Sequence, residues 1–112
     1  MVVVNIMSSE CCYTLSLKNR EMKRISQLFK IFSEVNRLKI LCLLQKDRLC
    51  VCEMIEKLDL PQNLTSHHLR VLEKTRLVTN ERKGRRIYYS LTPEGRKIIK
   101  PILGLLGRGG AI

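Results

Sequence analysis

From Glu21 to Phe32 the apolar residues Met22, Ile25, Leu28, Phe29 and Phe32 recur three and four positions apart, the spacing of one stripe along an α-helix. Ser33 is suited to cap a second helix, in which Val35, Leu38, Leu41, Cys42 and Leu44 fall on or near one face. Cys42 is therefore expected as a small buried hydrophobe. A third helix carries Val51, Met54, Ile55 and Leu58 at i, i+3, i+4 and i+7, with Cys50 and Cys52 about 100° to either side of Val51. The pattern keeps both sulfurs off the packing face. At a helix start, free N–H groups and the macrodipole also favour the thiolate, the form that binds metals. Pro61 fits the first turn of a fourth helix. Its inner side is Leu64, His68, Val71 and Leu72, and its outer side is Gln62, Asn63, Ser66, His67 and Arg70. That outer set is rich in hydrogen-bonding groups suited to base edges and phosphates, whereas His68 reads as a packed histidine.

The period then changes from helical to alternating. In "LVTNERKGRRIYYSLT", Ile87, Tyr89 and Leu91 point one way and Tyr88 and Ser90 the other, with a tight turn expected at Lys83–Gly84. Lys83, Arg85 and Arg86 join Arg82 at the tip, so the hairpin reads as a basic wing making salt-dependent phosphate contacts. A last helix starts with Thr92 as cap and Pro93 in its first turn, and carries Ile98, Ile99, Ile102, Leu103, Leu105 and Leu106. Pro101 is expected to kink or end it. The expected fold is mainly α with a small β-hairpin wing, a winged helix-turn-helix. Residues 1–19 are read as an N-terminal arm with a cysteine pair, 20–107 as the DNA-binding domain and 108–112 as a tail. The surplus of apolar surface on the first and last helices points to a homodimer.

Charge sharpens this picture. Lys and Arg number 21 against 10 Asp and Glu, giving a net charge of +11, which points to an anionic partner, with nucleic acid ahead of a membrane surface. The opening "MVVVNIM" lacks a charged n-region and is much shorter than the roughly 20 residues of a membrane span. Cytoplasmic residence is expected. Five cysteines, Cys11, Cys12, Cys42, Cys50 and Cys52, are an odd number without secretion features, so reduced thiols are expected in preference to disulfides.

The order of elements, with "SHHLRVLEK" at 66–74, "RRIYYSLTPEG" at 85–95 and Cys-Val-Cys at 50–52, resembles the ArsR/SmtB family of bacterial metal-responsive winged-helix repressors. The likeness runs from about Phe29 to Gly95. It implies a dimer formed through the first and last helices, the fourth helix of each subunit in a major groove, and a metal-free form that binds operator DNA and releases it on binding an inducer ion. No permanent cofactor, membrane, organic substrate or catalytic residue is implied. Three departures stand out. "EVN" precedes Arg37 where Asp-Pro-Thr is usual. Arg76 stands where a glycine commonly ends the recognition helix, which calls for a left-handed nonglycine residue. The last helix lacks the carboxylates and histidines of the zinc- and cobalt-sensing branch.

The candidate metal ligands are thus Cys50 and Cys52 with Cys11 and Cys12. Three sulfurs suit As(III), Sb(III) or Pb(II), and four suit Cd(II) or Zn(II). Consecutive side chains in an extended segment diverge, so Cys11 and Cys12 face one ion together only if the chain turns there. This slightly favours a three-sulfur site and As(III)/Sb(III), with Cd(II)/Pb(II) close behind. Competing readings are a redox-responsive regulator using the same cysteines, a thiol enzyme pairing one of them with His67, and an architectural nucleic-acid protein.

Overall fold

The structure, a computed structural model, describes residues 19–105. The chain divides into two compact units, residues 1–30 and 31–112. The described part of the first is most of helix α1 (Asn19–Phe32), whose Met22, Ile25 and Phe29 are exposed at 40%, 43% and 67%. The second contains α2 (Val35–Lys46), β1 (Leu49–Cys50), α3 (Val51–Leu58), α4 (Gln62–Lys74), β2 (Val78–Lys83), β3 (Arg86–Leu91) and α5 (Pro93–Gly104). The three strands form one antiparallel sheet in the order β1-β3-β2. The expected winged helix-turn-helix is present, with one addition: β1 pairs Leu49 with Tyr89 and Cys50 with Tyr88, joining the cysteine segment to the wing.

The core of the second unit is built from Ile40, Leu41, Leu44, Met54, Leu69, Leu72, Leu77 and Ile99. Two helical faces differ from expectation. In α2 the buried arc is Ile40, Leu41 and Leu44, whereas Val35 is 61% exposed and Cys42 is exposed. Cys42 stands roughly 100° beyond Leu41, on the side away from Ile40. The sequence there is apolar nearly all round, so periodicity did not select the face. Contacts with α3, α4, α5 and β3 do. The cap also moves by one residue: Glu34, not Ser33, is the N-cap, and its carboxylate accepts the Asn36 N–H at 2.8 Å. In α4 the inner face is Thr65, His68, Leu69 and Leu72, with Leu64 36% exposed. Thr65 tolerates burial because its hydroxyl donates to the Pro61 carbonyl at 3.0 Å.

The exit from α4 positions the wing. Arg76 adopts φ 63°, the left-handed conformation expected where glycine is usual, and the Leu77 N–H reaches back to the Leu72 carbonyl at 3.0 Å. That bond is the long closing bond of a Schellman end. Thr92 locks the same junction: its hydroxyl donates to the Arg76 carbonyl at 2.6 Å and accepts the Gly95 N–H at 2.8 Å as the cap of α5. A Cβ on Gly95 would sit 2.1 Å from the Leu77 carbonyl oxygen, so only glycine fits there. The helix α5 continues through Pro101 to Gly104 instead of ending there. Proline removes the donor to the Lys97 carbonyl, and the helix runs only three residues beyond it. At the wing tip the turn is Gly84–Arg85, one residue later than expected. Gly84 has φ 65° and occupies the first turn position, closing the pair Lys83–Arg86.

Candidate nucleic-acid interface and thiol site

Helix α4 opens after Pro61, whose extended φ −60° and ψ 149° direct the chain into the first turn. Of its polar set, Gln62, Asn63, His67 and Arg70 are exposed and Ser66 is half-buried. The inner face holds the helix by its apolar residues, leaving this row for a ligand. His68 behaves as a packed anchor. It is 3% exposed, and its Nδ1 accepts the Arg37 Nε–H at 3.1 Å, tying α4 to the start of α2. Burial pushes its pKa below the usual histidine value, and the Arg37 guanidinium adds to this. The ring is thus neutral with its proton on Nε2, an atom without a hydrogen-bond partner among the described residues.

The wing presents Lys83, Arg85 and Arg86, all exposed. Three contacts brace the wing. The Asn80 amide donates to the Glu73 carboxylate, linking β2 to α4. Arg48 lies 5.3 Å over the Tyr88 ring and 3.5 Å from the Glu81 carboxylate, linking the segment before β1 to both wing strands. Burial, followed by Glu73, raises the Tyr89 pKa against the opposing pull of Arg70. Sequence reasoning missed Arg37 and Arg48 as structural partners, because each acts on a residue at least 31 positions away.

The cysteines depart most from expectation. Cys50 is the last residue of β1 and the N-cap of α3, with φ −85° and ψ 165°, and is 2% exposed. Cys52 is exposed in the first helical turn. Their sulfurs are in bonding contact as a disulfide, with Cα atoms 5.4 Å apart, in place of the expected pair of separate thiols. The helical-wheel angle failed because Cys50 is extended, not helical. The turn from strand to helix swings its side chain inward and toward Cys52. Beside the pair lies a cleft of about 290 Å³ lined by Cys50, Cys52, Gln62, Arg85, Arg86 and Ile87. The cysteine pair, the start of α4 and the wing tip thus share one concavity.

Among the described residues no group of three or more His, Cys, Asp and Glu side chains is placed to hold a metal ion. Cys50 and Cys52 bring two sulfurs together, a donor set that fits a thiophilic ion only with additional ligands, and Cys42 is exposed on α2. Cys11 and Cys12 lie outside the described residues. No described helix is long and apolar enough to cross a membrane.

Comparison with known proteins agrees with this architecture. Residues 34–80 match the family described as "Bacterial regulatory protein, arsR family". The cadmium resistance transcriptional regulatory protein CadC of Listeria innocua is 40% identical over 74 residues, covering 65% of this chain and 62% of that protein, so the match spans less than two thirds of its length. The arsenical resistance operon repressor of Bacillus subtilis is 35% identical over 78 residues, covering 69% of this chain and 74% of its own. The crystal structure of the transcriptional regulator HlyU from Vibrio vulnificus superimposes with a TM-score of 0.70 at 32% identity, over 82% of this chain and 97% of that one. The chain belongs to the ArsR family, whose members are transcriptional regulators and not enzymes.

Proposed function

We propose that the protein is a cytoplasmic, homodimeric repressor that binds operator DNA and releases it when a soft metal or metalloid ion binds its cysteine thiolates. The observation that carries the DNA-binding part is the exposed row Gln62, Asn63, Ser66, His67 and Arg70 beside a wing bearing Lys83, Arg85 and Arg86. Side-chain amides and guanidiniums read base edges in the major groove, and the wing cations meet phosphates. The exposed Met22, Ile25 and Phe29 of α1 and the 84% exposed Leu105 support self-association.

Cys50 and Cys52 are the proposed core of the ion site, completed by Cys11 or Cys12, with As(III)/Sb(III) slightly preferred over Cd(II)/Pb(II) and Zn(II) as a further candidate. Both a cadmium regulator and an arsenical repressor stand among the relatives. The β1–β3 pairing supplies a route for coupling, since Cys50 stands opposite Tyr88 in the strand that starts at the wing tip. An ion that prefers the low-affinity conformation by about 1–3 kcal/mol is enough to switch occupancy. The test is titration of the reduced protein with As(III) and, separately, Cd(II), read by sulfur-to-metal absorption and by release of its own promoter DNA. Saturation at one ion per subunit with release, both lost in Cys50→Ser, is expected. Equal release from wild type and variant removes the site.

A second reading is favoured by the contact between the Cys50 and Cys52 sulfurs: a regulator in which the pair closes to a disulfide and thereby changes operator affinity. Release driven by an oxidant in metal-free buffer distinguishes it from ion sensing.

A further inference from the structure

We propose that the cleft between the thiol pair and the wing tip binds an anionic low-molecular-weight disulfide, which oxidises Cys50 and Cys52 there by thiol–disulfide exchange. This deepens the redox reading above and rests on it, and it assigns the site an organic ligand that the sequence pattern did not suggest. The first support is asymmetric burial. Cys52 is exposed and Cys50 is 2% exposed, so a dissolved disulfide reaches the Cys52 sulfur first. The backbone brings the Cys50 and Cys52 sulfurs together in the closed pair, so Cys50 is placed to resolve the adduct. The second is the lining. The cleft of about 290 Å³ is near the lower end of small-ligand sites, which run from roughly 300 to 1,000 Å³. It carries the Arg85 and Arg86 guanidiniums and the Gln62 amide, and none of its lining residues is acidic. Guanidiniums match carboxylates in a two-bond fork, so the recognised group is an organic anion.

The chemistry balances without a further reactant. The Cys52 thiolate attacks one sulfur of the ligand R–S–S–R, forming Cys52–S–S–R and expelling R–S⁻. The Cys50 thiolate then attacks the Cys52 sulfur and expels the second R–S⁻. The protein loses two electrons and the two thiol protons pass through solvent to the leaving groups, so two protein thiols and one disulfide become one protein disulfide and two molecules of R–SH. Arg85 and Arg86 line the cleft and attract an anionic disulfide to it, whereas the Glu53 carboxylate is held on the Cys50 backbone N–H at 3.0 Å. Arg85 and Arg86 are the same cations assigned above to DNA phosphates. Ligand and DNA therefore compete for them, and operator DNA shields Cys52.

The test uses the reduced, DNA-free full chain at low ionic strength with oxidised glutathione (anionic), bis(hydroxyethyl) disulfide (neutral) and cystamine (cationic). Closure of the Cys50–Cys52 pair is followed by mass spectrometry as loss of two hydrogens within the tryptic peptide 49–57, which holds these two cysteines and no other. Oxidised glutathione is expected to close the pair at least about 10-fold faster than cystamine, with the advantage shrinking as salt is added. The double variant Arg85→Gln/Arg86→Gln should lose that preference, whereas Lys97→Gln/Lys100→Gln, which removes the same charge from exposed positions on α5, should keep it. Equal or faster closure by cystamine overturns the site, as does an equal loss of preference in both double variants. Selective closure that leaves promoter affinity unchanged would preserve the site and overturn the redox-regulator reading. Failure of all three disulfides to close the pair would overturn both.

Discussion

Helix α4 and the cysteine turn both line one cleft, through Gln62 and through Cys50 and Cys52, yet they owe their geometry to different causes. Helix α4 is thirteen residues of uninterrupted period, so the outward position of Gln62, Asn63, Ser66, His67 and Arg70 follows from the angle between successive residues. The cysteine turn is a change of state. Cys50 closes a strand, Val51 opens a helix, and the direction of each sulfur is set by the join. A regular element can be deduced from its own pattern, whereas a junction depends on a partner strand distant in sequence, here Tyr88 and Tyr89.

The two regions should therefore fail differently. Leu69→Ala, which empties a fully buried position beneath the recognition face, should cost about 2–5 kcal/mol in denaturant unfolding and carry DNA binding down with it. An unchanged midpoint would show that α4 is not held by its inner row. Replacing Arg85 and Arg86 together by alanine should leave thermal stability nearly intact, weaken promoter binding, and lower the slope of log K against log salt by about 2 per subunit, or about 4 for the dimer. Anisotropy titrations over a salt series measure both effects, and an undiminished slope would remove the wing from the interface. Arg76→Gly, which relieves the left-handed backbone where α4 ends, should stabilise the fold by up to about 1 kcal/mol. A loss of stability would point to a side-chain role for Arg76 instead.

The smallest effect is on pH dependence. The folded state holds the His68 pKa below its unfolded value of 6.5, so the neutral ring contributes stability that is fully present above pH 6.5 and is lost as pH falls through the lowered value. Unfolding midpoints should decline below that pH in the wild type, and His68→Gln should flatten the decline. Equal slopes in the two proteins would assign the acid sensitivity to other groups.

The same contrast explains what was legible in the sequence. Five helices, a basic hairpin, the Thr92 cap and the left-handed Arg76 could all be read from periodicity, cap residues and a missing glycine. The buried side of α2 could not, because Leu38, Ile40, Leu41, Leu43 and Leu44 offer several equivalent faces, and Cys42 was assigned to the wrong one. Strand β1, two residues long, has no period to detect. The contact between the Cys50 and Cys52 sulfurs follows from that strand, so it was lost with it.

The shortness of β1 has an experimental use. A strand of two residues ends the sheet with few hydrogen bonds, so it is a fastening that a small torque at Cys50 can open or tighten. Backbone amides of β3 facing Leu49 and Cys50 should therefore exchange with deuterium at rates that track the chemical state of the thiols. The wing would then report what the cysteines have met, with no DNA in the tube.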